Sequence, residues 1–292
     1  MKITFSKLTF TATLALAIAF TLSCSSGGDS NGNVDDDGGD IQQQPSSSSG
    51  GGYSSGGIGN SSSSTGGNTG GGNSSDANIL TYAGQTYRTV QIGTQTWMAE
   101  NLNYAAEGSR CYGEGAQVHV RLDNEILMLS LAEVQANCSK YGRLYDWATA
   151  MALPASCNES ECASQVQLKH RGVCPDGWHI PSDADWTTLT NYVESQGDCS
   201  ECAGTKLKAA SGWENYLRGS GSGLDTYGFT ALPGGNGYWS GFSNAGYDGL
   251  WWSSAECSSD GAYSRYMAYY SEYAYWYCYD KTALYSVRCV KD

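Results

Sequence analysis

Apolar and polar residues alternate from Tyr82 to Met98 (YAGQTYRTVQIGTQTWM), on both sides of Ile92-Gly93-Thr94. A period of two around a glycine turn predicts a β-hairpin, with Tyr87, Val90, Ile92 and Trp97 facing a core. The period then changes. Glu125 to Val134 is apolar and helix-prone, and Tyr141 to Met151 places Leu144, Trp147 and Met151 on one helical face before Pro154 ends it. The clearest pattern lies in Val173 to Tyr192 (VCPDGWHIPSDADWTTLTNY). Pro175-Asp176-Gly177 is a turn sequence. Ser182 is a good N-cap, and Asp183 and Asp185 put negative charge in the first turn, where the helix dipole favours it. Trp186, Leu189 and Val193 follow at helical spacing. Beyond a polar Gly/Ser loop at 218–226, Phe229–Leu232 reads as a short strand running into a Pro-Gly-Gly turn. Tyr247–Ser254, Ser264–Tyr270, Tyr273–Tyr279 and Tyr285–Val290 read as further strands. This order predicts an α+β fold, with two main helices against one twisted antiparallel sheet and long loops between them.

The first segment does not belong to that fold. Met1 to Leu22 carries Lys2 and Lys7 and then an uncharged apolar run, the charge order of a signal peptide. Thr21-Leu22-Ser23 before Cys24 resembles a bacterial lipoprotein box, whose cysteine becomes the acylated N-terminus. An ordinary secretory signal with an incidental cysteine is the competing reading. From Ser25 to Asp76, Gly and Ser make up 31 of 52 residues and Lys and Arg are absent, so too little apolar surface exists to offset chain entropy. The chain thus divides into a signal peptide (1–23), a Gly/Ser/Asp-rich tether (24–78) and one domain (79–292).

Within 79–292, 14 basic stand against 23 acidic residues, which argues against nucleic acid or an anionic membrane surface as partner. Ten cysteines besides Cys24, in an exported chain, point to structural disulfides. Cys199-x-x-Cys202 has the spacing of a redox motif, but Asp198 and Glu201 would raise its thiol pKa. With Cys157 and Cys162 the same pair could form a four-cysteine zinc site, against the simpler reading of local disulfides. His179 has Asp176, Asp183 and Asp185 nearby in sequence, the makings of an acid–base or metal cluster, although turn and cap duties account for all of them. No metal motif, cofactor motif or catalytic set is assigned.

Aromatic residues are the remaining signal. Sixteen Tyr, Trp or Phe residues lie from Tyr238 to Tyr285, and tyrosines fill every odd position of Tyr273 to Tyr279. A strand with one core face must leave some of these rings to solvent or a ligand. Rigid amphipathic rings suit sugar stacking and protein contact, against the alternative that tyrosines merely favour strands. Trp251, Trp252, Tyr263, Tyr266, Tyr273, Tyr275 and Tyr277 are the candidate ligand-binding residues, in preference to the WHIPSD segment.

The segments GQTYRTVQIGTQTWMAENL (84–102), YGRLYDWATAM (141–151), GVCPDGWHIPSDADW (172–186), GYDGLWWSS (246–254) and SVRCVKD (286–292) together closely resemble the Fibrobacter succinogenes major paralogous domain of exported bacterial proteins. More distantly, GWHIPSDADW and Ser286-Val-Arg-Cys289 look like patterns of formylglycine-generating-enzyme-like domains, whose C-type-lectin-like fold the resemblance implies here. In such folds the C-terminal region often presents the ligand surface. Cys174 and Cys289 lie in matching family segments, which points to a bond between them. Neighbour pairings Cys111–Cys138, Cys157–Cys162, Cys199–Cys202 and Cys257–Cys278 use up the rest. These readings together describe a lipoprotein of the outer membrane or cell surface, held to the bilayer by an acyl group on Cys24. Its domain would be a non-catalytic module for an extracellular glycan or protein. An enzyme of the formylglycine-generating type and a purely structural surface protein are the alternatives.

Overall fold

The computed structural model describes residues 78–121, 125–196, 200–217, 219–238 and 240–292. Strands Ile79–Tyr82 (β1), Gln85–Ile92 (β2) and Gln95–Met98 (β3) open the fold, and β2 and β3 form the expected hairpin, Ile92 pairing with Gln95. Tyr87, Ile92 and Trp97 are buried as expected, and Val90 is half-buried. Val118–His119 (β4) and Ile126–Leu127 (β5) precede helix Leu131–Tyr141 (α1), strand Leu144–Tyr145 (β6) and helix Trp147–Met151 (α2). Trp178–His179 (β7) leads into Asp183–Ser195 (α3) and Ala203–Leu207 (α4). The chain ends in strands: Gly234–Tyr238 (β8), Gly241–Ala245 (β9), Asp248–Glu256 (β10), Gly261–Ala268 (β11), Tyr275–Asp280 (β12), Tyr285–Ser286 (β13) and Val290–Lys291 (β14).

Two sheets result. One runs β1-β2-β3-β14-β7; the other has nine strands along β12-β11-β10-β8-β9-β4-β5, with β13 joining β10 to β6. β10 is central, antiparallel to β11 and parallel to β8 and β13. Its neighbours Trp251 and Trp252 point to opposite faces, as adjacent strand residues must, and both faces are covered. Trp252 packs with Trp147, Tyr285 and Met98 in one core. Trp251 packs with Trp97, Trp186, Phe229 and Met267 in the other.

The expected α+β, C-type-lectin-like layout does not survive. The protein is mainly β, with two sheets instead of one, parallel pairings among the antiparallel ones, and four short helices among the described residues. Local chemistry explains the difference. The helix expected over Tyr141–Met151 is cut at Gly142, whose φ of 77° ends α1 and whose added Cβ would stand 2.8 Å from the Leu102 carbonyl oxygen. A strand intervenes before Asp146 caps α2, its side chain accepting from the Thr149 amide. Glu125 to Val134 is likewise split, because Ser130 and Glu133 form a capping box that fixes the start of α1. Near Phe229 the expected strand and turn exchange places: Ala231 makes only a bridge to Lys208, and the Gly-rich segment after Pro233 is β8.

α3 forms as its sequence predicts. Ser182 and Asp185 make a capping box, and Trp186, Leu189 and Val193 are buried.

Buried polar groups fasten the cores together. Asn101 Oδ1 accepts from Trp251 Nε1 at 2.8 Å and from Arg288 Nη2 at 2.6 Å, while Asn101 Nδ2 donates to the Tyr141 carbonyl at 2.9 Å. Arg288, wholly buried, also donates to the Phe229 and Thr230 carbonyls and lies over the Phe229 ring. Lys281 is equally buried. Its ammonium donates to Glu256 Oε1 at 2.5 Å and to the carbonyls of Cys157, Ser160 and Ser259. Each buried charge has hydrogen-bond partners, which is the condition for tolerating it away from water.

Candidate functional site

Among the described residues, β12 is the edge of the nine-stranded sheet and pairs with β11 alone. Tyr275, Tyr277 and Tyr279 stand opposite Tyr266, Ser264 and Ala262. Directly opposed residues share a face, so these side chains line one surface of the sheet. Small Ser264 and Ala262 leave room beside the rings of Tyr277 and Tyr279. Tyr266 instead fills its place and stacks on Tyr275, centroids 6.0 Å apart at 28°.

The rings form a ladder. Successive centroid separations are 5.7 Å from wholly buried Tyr285 to Tyr279, 5.6 Å from Tyr279 to Tyr277, 5.9 Å from Tyr277 to Tyr275 and 5.2 Å from Tyr275 to Tyr273. Tyr273 is 41% exposed, whereas Tyr275, Tyr277 and Tyr279 are half-buried. On the opposite face Trp276, 36% exposed, meets Tyr263 edge-on at 5.7 Å.

Five of the seven sequence candidates thus lie on β11, β12 or the approach to β12, four on the ladder face and Tyr263 behind it. Trp251 and Trp252 do not join them. Both have no exposed surface, so neither can touch a ligand from solution. The premise of a single core face fails at β10, because that strand lies between two cores.

A second group of rings adjoins the ladder, and the sequence did not single it out. Tyr269 meets Tyr216, Tyr247 and Tyr270 edge-to-face at 6.3, 5.2 and 5.3 Å. Arg121 stands over Tyr247 and Tyr269 and pairs with buried Asp248 at 3.1 Å. Burial pushes the Asp248 carboxyl up despite that pairing. Tyr266 donates its hydroxyl to the other Asp248 oxygen at 3.1 Å, and burial and the carboxylate raise its own pKa. Tyr266 therefore links both groups. Only the cluster of tyrosines between 263 and 279 could have hinted at this. Tyr216 and Arg121 arrive from distant loops.

The WHIPSD residues do not converge on one site. His179, 3% exposed, bonds through Nδ1 to Asp292 Oδ1 at 2.7 Å and through Nε2 to Asp185 Oδ2 at 3.4 Å. Burial works against the imidazolium, but the two carboxylates outweigh it and raise its pKa. Burial also opposes the Asp185 charge, yet the bonds from His179 and Ser182 hold that carboxyl at about 2. Asp183 pairs instead with Arg265, and Asp176 with Arg171. No group of three or more metal-type side chains occurs among the described residues. A cleft of about 650 Å³ beside Tyr82 and Tyr104 contains Asp146, but that carboxylate is occupied in capping α2.

The family model of the Fibrobacter succinogenes major domain matches residues 90–291. The chain belongs to this family. No curated protein and no solved structure matches it, so the distant likeness to formylglycine-generating-enzyme-like and C-type-lectin-like domains gains no support. The ladder, the Tyr269 group and His179 all fall within the Fibrobacter succinogenes major domain, whereas Asp292 lies just past the match.

Four disulfides join pairs of cysteines among the described residues: Cys111–Cys138, Cys157–Cys162, Cys174–Cys289 and Cys257–Cys278. All four are the expected pairs. Cys202 is also disulfide-bonded, while its expected partner Cys199 lies outside the described residues. So do the signal peptide, Cys24 and the tether up to residue 77.

Proposed function

We propose that the protein is an exported, lipid-anchored binding module whose tyrosine ladder holds an extended carbohydrate chain. The observation that carries this reading is the row of rings at 5.2–5.9 Å from Tyr273 to Tyr279, backed by buried Tyr285. Rings braced against one another lose little further entropy when a ligand lands on them, and tyrosine adds a hydroxyl at the rim of each apolar surface. The spacing is close to one pyranose in an extended glycan. Acidic net charge disfavours a polyanionic ligand and leaves neutral sugars as the better match.

Cys24 is the proposed acylation site, and the Gly/Ser segment behind it would act as a flexible spacer of about 40 Å. Replacing Cys24 by Ser should move the protein from the membrane to the soluble fraction. An unmodified Cys24 in the mature protein would end the anchor proposal.

An enzyme of the formylglycine-generating type finds no supporting observation. The C-terminal cysteines Cys257, Cys278 and Cys289 are all in disulfides. The test of the binding reading is a glycan array probed with the full chain, with protein ligands sought in parallel. Retention by a glycan class, lost on Tyr→Ala changes in the ladder, is the expected result. Retention of protein but of no glycan would replace carbohydrate by protein as the ligand, and no retention at all would refute a binding role.

A further inference from the structure

We infer that the cleft beside the ladder is a binding site for an alkylammonium group. It has a volume of about 610 Å³ and is lined by Glu214, Tyr216, Leu217, Tyr247, Tyr269 and Tyr270. Tyr269 stands at 89° to Tyr216, 88° to Tyr247 and 89° to Tyr270. Rings at right angles enclose a rounded volume. The negative faces of aromatic rings attract a cation, most strongly when it is shielded from water.

Further observations fit a cation. The Arg121 guanidinium already lies 5.6 Å from the Tyr247 centroid and 5.5 Å from that of Tyr269, so these rings attract positive charge within the fold itself. Arg121 is paired with Asp248 at 3.1 Å, and Glu214 brings a carboxylate to the cleft lining. Glu214 is exposed. The loop at 219–223 closes against this wall because Gly221 has no side chain. A Cβ there would lie 2.1 Å from the Glu214 carbonyl oxygen and 2.7 Å from that of Tyr269. Leu217, fully exposed at the rim, offers apolar contact for the carbon substituents of an ammonium. The acidic chain as a whole draws cations toward it.

The shared chemistry is an ammonium carrying alkyl groups, supplied either by a quaternary head such as choline or by a lysine side chain. Calorimetric titration of the full chain separates these sources. Its arms use choline, 3,3-dimethylbutanol as the neutral isostere of choline, and Nα-acetyl-lysine amide, whose side-chain ammonium stays free. Choline or the lysine amide should bind saturably and about tenfold more tightly than dimethylbutanol. Glu214→Gln and Tyr216→Ala alter exposed or half-exposed side chains, and each should weaken that binding several-fold with melting unchanged. The Tyr273/Tyr275/Tyr277 triple alanine variant should keep it, because none of those three residues lines the cleft. Equal binding of the neutral isostere, or no saturable response to either ammonium, overturns the inference. So does unaltered binding in both cleft variants, or loss in the ladder variant alone.

Discussion

Tyr266 stacks on Tyr275 across β11 and β12, and the same Tyr266 hydroxyl donates to buried Asp248 at 3.1 Å. One residue thus braces the ladder against the interior. The two contacts separate on substitution. Tyr266→Phe keeps the ring and removes the hydroxyl, leaving Asp248 with Arg121 alone. It should lower unfolding free energy by about 1–3 kcal/mol, the usual loss for a buried acceptor, while ligand binding by the ladder is retained. Denaturant titration alongside a binding assay checks both halves, and unchanged stability would show that the hydroxyl bond contributes nothing.

Asn101 is the polar hub between the cores. Asn101→Leu keeps the volume but leaves Arg288 and the Trp251 indole without their shared acceptor. The expected loss is about 3 kcal/mol or more, read from the shift in urea midpoint. A loss within the scatter of a surface substitution would mean that other groups satisfy Arg288.

His179 and Asp185 set a pH window. The Asp185 carboxyl is depressed from 3.8 to about 2, so its contribution is present above 3.8 and is lost as pH falls through the folded value. The His179 imidazolium is raised above 6.5, so its contribution is full below 6.5 and is lost as pH rises through the folded value. The stability difference between wild type and His179→Asn should therefore peak between 3.8 and 6.5. Unfolding curves across pH test this. A difference that grows at alkaline pH contradicts the sign.

The Cys174–Cys289 bond spans 115 positions and ties the turn before β7 to the start of β14. Replacing both cysteines by Ala should cost about 4–5 kcal/mol on the chain-entropy account. Thermal melting of the double variant measures it. An unchanged melting temperature would show that the unfolded chain is not constrained by this link.

Much of this was legible where the signal is local. The cap at Ser182, the stripe Trp186-Leu189-Val193 and the turn at Gly93 depend only on neighbours in sequence, and all three occur as read. Trp251 and Trp252 were misplaced because an apolar strand does not reveal whether one or both of its faces are covered. The helix over Tyr141–Met151 was misread because a positive φ at Gly142 outweighs a matching hydrophobic spacing. Asn101, Arg288 and Lys281 look like surface residues in the sequence. Their burial depends on partners up to 187 positions away, as for Asn101 and Arg288. The Tyr269 cleft escaped for the same reason, since Tyr216 and Arg121 reach it only through the fold.

The central claim is that the ladder tyrosines bind rather than scaffold. Its most direct measurement compares wild type with the Tyr273→Ala/Tyr275→Ala/Tyr277→Ala variant for affinity toward a ligand recovered from the glycan array, with melting recorded on the same samples. The account predicts a loss of about 1 kcal/mol or more per ring, multiplied across three rings into at least a hundredfold weaker binding, measured at a temperature where the melting curve shows the variant fully folded. Full affinity in the triple variant would contradict it and leave the tyrosine ladder as part of the scaffold.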